Sequence, residues 1–530
     1  MSIACRGILL VCLLAPSLGA QPRSSMLVLD AASFRHHVDL FNRMAPEEVT
    51  NAIPNREAWE WMQANIPFFA CPDRDLERIY YYRWWALRKH VTRTPAGWIL
   101  TEFLKPVSHA SDYNAISSAL GHHIEEGRWL RDPQYIKQYV RFWLQSGENG
   151  GLQRDYHKYS SWAAAAIYDW WLVNRDDGYV TSLLDSLTAD YRTWERERLT
   201  SSGLFWQFDV RDAMEESVSG SRTKKNLRPT INSYMYGNAR AIAAIARLDR
   251  DEATARAYEA KAEDLKRLVQ DRLWDSTHRF FKARVEGNGL ADVRELIGYT
   301  PWYFGLPDAD RGYEIAWKQL MDPEGFFAPC GPTTAEQRHP GFRIADTGDD
   351  CQWNGPSWPF STTVTLKALA NVLHDYPQSA ISKADYWKTL RIYATCQRLR
   401  LPDGRRIPWI DENLNPFTGE WQARRMKLRK GTFYGRGNHY NHSAFADLVI
   451  SGLVGLRPGP DDRVDVSPLV PEDLWDWFCL DNVRYHGRNL TILWDRHGTK
   501  FGRGKGLQVF ADGRVIASAR SLQPVSGQLP

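Results

Sequence analysis

The chain has 530 residues, a net charge of +4 at neutral pH and 25% charged residues. This length suits one large domain with a small companion, and the composition excludes a disordered or fibrous protein. The small net charge, without a concentrated Lys/Arg run, argues against nucleic acid and anionic membranes as partners.

The first residues, MSIACRGILLVCLLAPSLGA (1–20), have one Arg, an apolar run and then small residues. This order is typical of a secretory signal peptide, and the run is too short to span a membrane. We therefore expect a secreted or periplasmic protein without membrane insertion. For the remaining cysteines, the sequence is compatible with a Cys330–Cys351 disulfide and with buried free thiols. The absence of a CxxC pair argues against a structural zinc site.

After an extended lead-in at 21–50, residues 51–456 are mostly helical in pattern. In the segment 258–273, apolar residues recur at steps of four, three, four and four and form one stripe. Other segments are apolar on most sides, which is typical of inner helices. Alternating inner and outer helices in six hairpins predict an (α/α)6 toroid. Helices are predicted near 56–65, 73–91, 111–126, 132–146, 157–173, 178–198, 229–248, 258–273, 312–321, 359–375, 382–399 and 439–455.

Near residue 460 the helical pattern gives way to short β-rich runs such as NLTILWD and LQVFADGRVIAS. The tetrapeptide ADGR within the second run is a hairpin-turn signal. We therefore predict a small antiparallel β module over 457–524 that caps the toroid.

The aromatic content is high, with 23 Trp and 23 Tyr. Flat aromatic faces suit the apolar faces of sugar rings, but large helical cores also bury aromatic residues. Composition alone is consistent with both.

The first candidate cluster is GLFWQFDVRDAMEES (203–217), where four carboxylates, including Asp212 and Glu215, lie among Phe and Trp. A carboxyl held against aromatic rings is desolvated, which raises its pKa and suits a general acid. A charged loop that pairs with neighbouring arginines is the alternative interpretation.

The second cluster is WIDENLNPFTGEW (409–421), which places Asp411 and Glu412 before an Asn-Pro turn. A carboxylate on such a loop could activate water, or it could belong to a solvated turn.

Several stretches at predicted helix edges mix Trp or Tyr with Asn, His and Arg, as sugar-binding pockets do. The His-His and His-x-x-His pairs are weak evidence for metal, so we expect no metal and no cofactor. P-loop, GxGxxG, GxSxG and HExxH motifs do not occur in the sequence, which argues against nucleotide, serine-hydrolase and zincin chemistry. The predicted substrate-binding residues are Tyr82, Arg83, Trp84, His123, Trp206, Tyr236, Trp302, Trp353, Asn354, Trp358, His439 and Asn441.

The order of five motifs resembles the clan of (α/α)6 glycosidases around glycoside hydrolase family 63, and most of all its mannosylglycerate-hydrolase-like branch. The resemblance covers most of 55–520, and Glu-x-x-x-Pro-x-Thr-Gly is its most specific piece. The motifs are YYYRWW (80–85), DAMEES (212–217), WNGPSWP (353–359), ENLNPFTGEW (412–421) and ISGLVGLRP (450–458).

The resemblance implies a glycoside hydrolase with an inverting mechanism that acts on an oligosaccharide or glycoside. By position, Glu412 matches the general base and Glu215 matches the general acid. The clan has Asp at the acid position, so Asp212, three residues earlier, stays a second candidate. Asn354 stands where the clan has Arg, so the substrate need not be a glucoside or mannosylglycerate.

Other classes of protein remain open from the sequence. A polysaccharide lyase on an α-toroid needs a Tyr/His base and a cation for a uronate carboxylate, and Tyr234, Tyr440, His439 and Arg436 could supply them. A non-catalytic carbohydrate-binding protein would keep the aromatic residues without needing paired carboxylates. An α-solenoid scaffold should show a regular repeat, which this sequence lacks.

Overall fold

The computed structural model describes residues 28–530. The signal-peptide prediction for 1–20 lies outside the described residues. Over the described range, none of the helices combines the length and apolar character needed to cross a bilayer.

The lead-in is helical where an extended segment was expected. Helix α1 (Arg35–Met44) buries Val38, Phe41 and Met44, which share one face at helical spacing, and it packs on the third helix of the chain. That short apolar stripe explains why the segment folds as a helix. A second helix, α2 (Ala58–Asn65), precedes the toroid.

Six helical hairpins follow, each with an outer and an inner member. The outer members are α3 (Arg74–His90), α5 (Gln134–Gln145), α8 (Leu184–Arg198), α10 (Glu252–Leu273), the 3-10 helix Tyr313–Leu320 and α13 (Lys383–Cys396). The inner members are α4 (Leu120–Gly127), α6 (Ala163–Asn174), α9 (Pro229–Leu248), α11 (Thr300–Tyr303) after the 3-10 turn Leu296–Tyr299, α12 (Pro359–Asp375), and α15 (Phe445–Asp447) continued by the π-helix Leu448–Leu453. Connections carry α7 (Asp177–Thr181), α14 (Gln422–Arg429) and 3-10 turns at Ala31–Phe34, Asn55–Glu57, Asp112–Asn114, Glu148–Gly150, Tyr156–Lys158 and Asp209–Arg211.

The inner helices contact one another in the order α4, α6, α9, α11, α12, α15 and back to α4, so the ring is closed. This arrangement confirms the predicted (α/α)6 toroid. The outer helix α10 buries only its predicted stripe, whereas α9 is buried on most sides. Each hairpin consists of an outer helix followed by an antiparallel inner helix. The loops that precede the six inner helices therefore lie at the same end of the toroid.

Helices α9 and α12 begin at Pro229 and Pro359, at the predicted first residues. The last inner helix starts at Phe445, later than the predicted 439, because the preceding residues make other backbone bonds. The Tyr440 N–H donates to the Ile410 carbonyl, and the Asn441 N–H donates to the Glu102 carbonyl.

The C-terminal part is antiparallel β-structure, as predicted. Asp512 and Gly513, both with positive φ, form a two-residue turn at ADGR, and Ala511 pairs with Arg514. The strands are β1 (Phe68–Ala70), β8 (Leu456–Arg457), β9 (Arg463–Val466), β10 (Trp477–Tyr485), β11 (Arg488–Asp495), β12 (Gly506–Ala511), β13 (Arg514–Ala519) and β14 (Val525–Gln528). The main sheet has the order β1-β10-β11-β12-β13, so that β1, from before the toroid, forms one edge of it; a smaller sheet has the order β14-β9-β8. Hairpins within the helical part pair β2 (Val91–Thr94) with β3 (Gly97–Leu100), β4 (Trp274–Asp275) with β5 (Phe280–Phe281) and β6 (Arg398–Arg400) with β7 (Arg406–Pro408).

Candidate active site

The segment that carries Glu412 is a fixed loop between β7 and α14. The Tyr82 hydroxyl accepts a hydrogen bond from the Ile410 N–H at 3.1 Å. Leu414 exchanges backbone hydrogen bonds with Ser357 at 2.8 and 2.9 Å. These contacts hold Glu412, which is 1% exposed, at the end of the toroid where the loops before the inner helices meet.

The Glu412 carboxylate is bound by two cations. Lys427 Nζ donates to one oxygen at 2.8 Å, and Arg436 donates to both oxygens through Nε at 3.0 Å and Nη2 at 2.6 Å. Burial by itself raises the pKa of Glu412, but the Lys427 and Arg436 charges outweigh it and the pKa falls below its ordinary value. Glu412 is therefore ionised at neutral pH.

Asp411 supports the loop from behind Glu412. Its Oδ1 accepts the Glu412 N–H at 2.9 Å. A Cβ atom on residue 437 would lie 1.8 Å from this oxygen, so only Gly437 allows the close approach. Burial, together with the neighbouring Glu412 carboxylate, raises the pKa of Asp411. Asp411 thus fixes the backbone of the loop.

Glu215 has the opposite electrostatic character. It lies on the loop before α9, and its carbonyl accepts the Trp353 N–H at 3.0 Å. Burial raises the pKa of Glu215 to about 8, and the Asp349 carboxylate contributes to the rise. At neutral pH this carboxyl is therefore mostly protonated and can donate a proton.

Asp212 is committed to a buried ion pair. Its Oδ2 accepts from Arg228 Nε at 2.7 Å and from the Thr230 hydroxyl, and both charged side chains are fully buried. The pair joins the carboxylate-rich loop to the first turn of α9.

We expect Asp212→Asn to act mainly on stability, since it leaves the buried Arg228 charge without its partner. The cost should be about 3–5 kcal/mol of unfolding free energy. Asp349→Asn is the control, because it removes an ion pair with Arg222 at the surface. The side chains of Asp349 and Arg222 are 32% and 54% exposed, and such a pair contributes at most about 1 kcal/mol to the free energy of unfolding. Chemical denaturation measures both. An Asp212→Asn protein as stable as the wild type would return Asp212 to the list of candidate acids.

Cys351 contacts Glu412 and lies within the electrostatic influence of Glu215. Its Sγ is 3.9 Å from Glu412 Oε2. Burial raises the pKa of the Cys351 thiol well above its usual range, and the charges of Glu215 and Glu412 both add to the rise. Because the charges of both carboxyls act on the half-buried Cys351 thiol, Glu215 and Glu412 belong to one site, and Cys351 is a neutral thiol within it.

The Cys330–Cys351 disulfide considered from the sequence is not formed: all five cysteines of residues 28–530 are free. Cys330 lies instead beside Cys396, and this neighbouring thiol lowers the pKa of Cys330 to about 7. Both cysteines belong to the connection between the 3-10 helix 313–320 and α12. The end of this connection places Cys351 next to the carboxyls, whereas Cys330, near its start, lies next to Cys396.

An acidic segment, 346–350, covers the two carboxyls. Asp346 pairs with Arg425 and Asp349 pairs with Arg222. Asp350 contacts Lys427, and its Oδ2 lies 3.8 Å from Arg436 Nη2. Asp350 therefore shares both cations with Glu412.

A third carboxyl, Glu102, was missed from the sequence. It follows β3 and accepts hydrogen bonds from the Ser118 hydroxyl at 2.6 Å and from the Tyr440 hydroxyl. Burial raises the pKa of Glu102 to about 7, and the Glu412 charge adds to the rise. No motif marks Glu102, since its partners come from distant parts of the chain.

Among the predicted substrate-binding residues, Trp353, Asn354 and Trp358 lie next to the carboxyl-bearing loop before α9. Trp353 stacks on Trp358 with ring centroids 4.6 Å apart and planes at 12°. The Asn354 side-chain oxygen is buried and has no hydrogen-bond partner among the described residues, so it can accept from a ligand hydroxyl.

A second group of these residues supports the segments around Glu412 and Glu102. The Tyr82 hydroxyl hydrogen-bonds His439 Nδ1 at 2.8 Å. His123 contacts the Asn441 carbonyl through Nε2 at 2.6 Å. Arg83 donates to the Ser443 hydroxyl at 2.9 Å, and Asn441 donates to the Thr101 carbonyl at 3.1 Å.

A third group lies away from the carboxyls. Trp84 and Trp302 are fully buried in the core. Trp206 is sandwiched between Arg198 and Lys225, 4.6 and 5.0 Å from its ring centroid. Tyr236 lines a cavity at the other end of the toroid. The aromatic character of a residue therefore does not distinguish a substrate-binding residue from a core residue in this sequence.

Within 28–530, no group of three or more His, Cys, Asp or Glu side chains is arranged to hold a metal ion. The chemistry that Glu215 and Glu412 support is general acid–base catalysis, in which a neutral carboxyl donates a proton to a ligand and a carboxylate accepts one from it.

The six-hairpin toroid is a fold of glycoside hydrolase domains, and the comparison with known families agrees with it. Residues 112–443 match the mannosylglycerate hydrolase MGH1-like glycoside hydrolase domain, and the chain belongs to this family. Residues 456–517 match the C-terminal domain of glycosyl hydrolase family 65. The expected resemblance is confirmed.

Solved structures with the same fold include three informative cases. A protein titled "Sialidase" is 47% identical over 94% of this chain, with a TM-score of 0.90, and this chain spans 45% of its length. The GH63 mannosylglycerate hydrolase from Thermus thermophilus, in complex with Tris and D-glycerate, is 14% identical, with a TM-score of 0.51 and coverage of 70% of this chain and 99% of that one. An alpha-L-rhamnosidase from Dictyoglumus thermophilum is 12% identical, with a TM-score of 0.53 and coverage of 86% and 45%.

Proposed function

We propose that the protein is an exported glycoside hydrolase that cleaves an O-glycosidic bond with inversion. The observation that carries the proposal is the opposite displacement of two pKa values in one site. Burial raises the pKa of Glu215 to about 8, while Lys427 and Arg436 lower that of Glu412. A neutral acid and an ionised base are the two groups that inverting hydrolysis requires. The apolar leader at 1–20 supports export.

In the proposed reaction, Glu215 donates its proton to the departing glycosidic oxygen. Glu412 removes a proton from a water molecule that attacks the anomeric carbon from the opposite face. Atoms balance, since one water is consumed and its proton ends on Glu412 while the Glu215 proton leaves with the alcohol. Cys351 is not the nucleophile, because a thiol with a raised pKa is not ionised at neutral pH.

The sugar is a separate part of the proposal. Asn354 offers an amide oxygen where the clan has an Arg, so the pocket suits a hydroxyl better than a carboxylate at this position. Mannosylglycerate, which the Thermus protein is named for, therefore ranks below neutral glycosides. A panel of aryl glycosides and plant oligosaccharides identifies the substrate.

The pH dependence of kcat/KM with a substrate from that panel tests the paired carboxyls. Activity requires Glu412 ionised and Glu215 protonated, so it should rise through a pKa below the usual Glu value of about 4.3 and fall above about pH 8. The control is Glu102→Gln, because the pKa of Glu102 is also raised, to about 7. This variant should leave the fall in activity at alkaline pH in place. An alkaline limb that disappears in Glu102→Gln and persists in Glu215→Gln would assign the acid to Glu102.

A polysaccharide lyase remains the second candidate, since Arg436 and Tyr440 lie beside Glu412 and Glu102. However, Arg436 is bound to Glu412 through two hydrogen bonds and Tyr440 donates to Glu102. Absorbance of an unsaturated product near 235 nm, with a uronate polymer as substrate, would favour the lyase.

A further inference from the structure

A cavity of about 970 Å³ lies at the end of the toroid opposite to Glu215 and Glu412. Its walls come from the middle and carboxyl-terminal turns of α6, α9 and α12 and from the outer helix α10, whereas the two carboxyls lie on the loops before α9 and α15. The proposed hydrolase mechanism uses no residue of this cavity. Its volume is within the range of small-molecule sites, about 300–1,000 Å³.

The side walls combine aromatic rings with free polar groups. Tyr168, Tyr236 and Phe304 line the cavity, and neither tyrosine hydroxyl has a hydrogen-bond partner within residues 28–530. Arg240 also lines it and forms no ion pair with a described residue; its guanidinium contacts only the Tyr236 ring, 5.8 Å from the centroid. These groups are ready to bind a ligand with both apolar faces and hydroxyls.

The floor is a charged network with spare hydrogen-bonding capacity. Arg128 binds Glu125 at 3.1 Å and Asp447 at 2.6 Å, and Lys367 binds the same two carboxylates at 3.0 Å each. Glu125 Oε1 and Arg128 Nε are buried without a partner among the described residues. Asp169 completes the floor; burial and the neighbouring Glu125 raise the pKa of Asp169 well above the usual range, so its protonated carboxyl hydrogen-bonds with Glu125.

Apart from Arg240, the basic side chains that line the cavity are paired with carboxylates, including Lys266 with Asp308, so little positive charge is left for an anionic ligand. The floor cations are already matched by Glu125 and Asp447, and at the rim Arg247 pairs with Glu259 and Arg457 with Asp375. Of the helices around the cavity, the inner helices α6, α9 and α12 present their carboxyl-terminal ends, which are electrostatically negative. The ligand that fits is therefore neutral, rich in hydroxyls and partly apolar, which describes an uncharged sugar.

We propose that this cavity is a second carbohydrate-binding site, separate from the catalytic end, for a neutral oligosaccharide. Tyr168 and Arg240 donate hydrogen bonds to its hydroxyls, and the Tyr236 and Phe304 rings contact its apolar faces. Such a site would hold a glycan chain on the enzyme without taking part in hydrolysis. The proposal does not depend on which carboxyl is the acid.

The test measures binding of the Glu412→Gln protein to an arrayed panel of neutral and acidic plant oligosaccharides, so that turnover does not remove the ligands. In this background we compare Arg240→Ala combined with Tyr168→Phe against Arg256→Ala, which changes an exposed arginine of α10 that does not line the cavity. At least one neutral glycan should bind, and the double variant should weaken that binding by about tenfold or more, as expected for two lost hydrogen bonds. The Arg256 control should leave it unchanged.

Three outcomes would overturn the second site: no neutral glycan binds, only acidic glycans bind, or the double variant binds the panel as the control does. In the background with native Glu412, Arg240→Ala/Tyr168→Phe should keep kcat/KM for a small aryl glycoside. That measurement separates the second site from the proposed hydrolase, since each can fail while the other holds.

Discussion

Glu412→Gln should lower kcat by about 10²–10⁴-fold, the range for loss of a general base, while substrate binding is largely retained. The amide cannot remove the proton from the attacking water, although it keeps the size of the side chain and can accept hydrogen bonds from Lys427 and Arg436. Steady-state kinetics measures kcat, and calorimetry with the uncleaved substrate measures binding.

Glu420→Gln is the matched control for this substitution. It makes the same chemical change on the same segment, but Glu420 is exposed and pairs only with Arg425. The control should keep wild-type activity. A Glu412→Gln protein that is folded and fully active would remove Glu412 from the mechanism.

Glu215→Gln should have an effect that depends on the leaving group. An alkyl or sugar alcohol needs protonation as it departs, so its hydrolysis should fall by about 10²–10⁴-fold. A dinitrophenolate leaves without a proton, so the corresponding aryl glycoside should lose much less. The ratio of kcat/KM for the two substrates measures this directly.

Glu216→Gln, on the adjacent residue, is the control for Glu215→Gln. It should lower neither rate, since Glu216 lies beside the covering segment near Gly348 and forms no ion pair among the described residues. Equal losses for both leaving groups in Glu215→Gln would argue against a role as acid. Together with the stability of Asp212→Asn, this experiment decides between the two acid candidates.

The sequence predicts the toroid well because its signals are local. A proline at the first turn and a continuous apolar pattern mark α9 and α12 to the residue, and the ADGR turn marks the β12–β13 hairpin. The helix over 35–44 was not predicted, because its apolar stripe consists of only a few residues. The late start of the last inner helix escaped because residues 437–444 bind distant backbone groups.

The residues of the candidate site also fall into those marked by local motifs and those brought together only by the tertiary fold. Glu412 and Glu215 lie in recognisable motifs, so the sequence alone selects them as candidates. Lys427 and Arg436, which keep Glu412 ionised, and Asp350, which shares their charges, come together only when the ring closes. The electrostatics that assign acid and base therefore depend on tertiary contacts that no local pattern encodes.

Proton NMR of the first sugar product tests the central claim most directly. If Glu215 and Glu412 act as acid and base on a single displacement, the product should first appear with the anomeric configuration opposite to that of the substrate. The other anomer should then grow only as fast as the free sugar mutarotates. A first-formed product with the configuration of the substrate would contradict the inverting mechanism and point to a covalent intermediate.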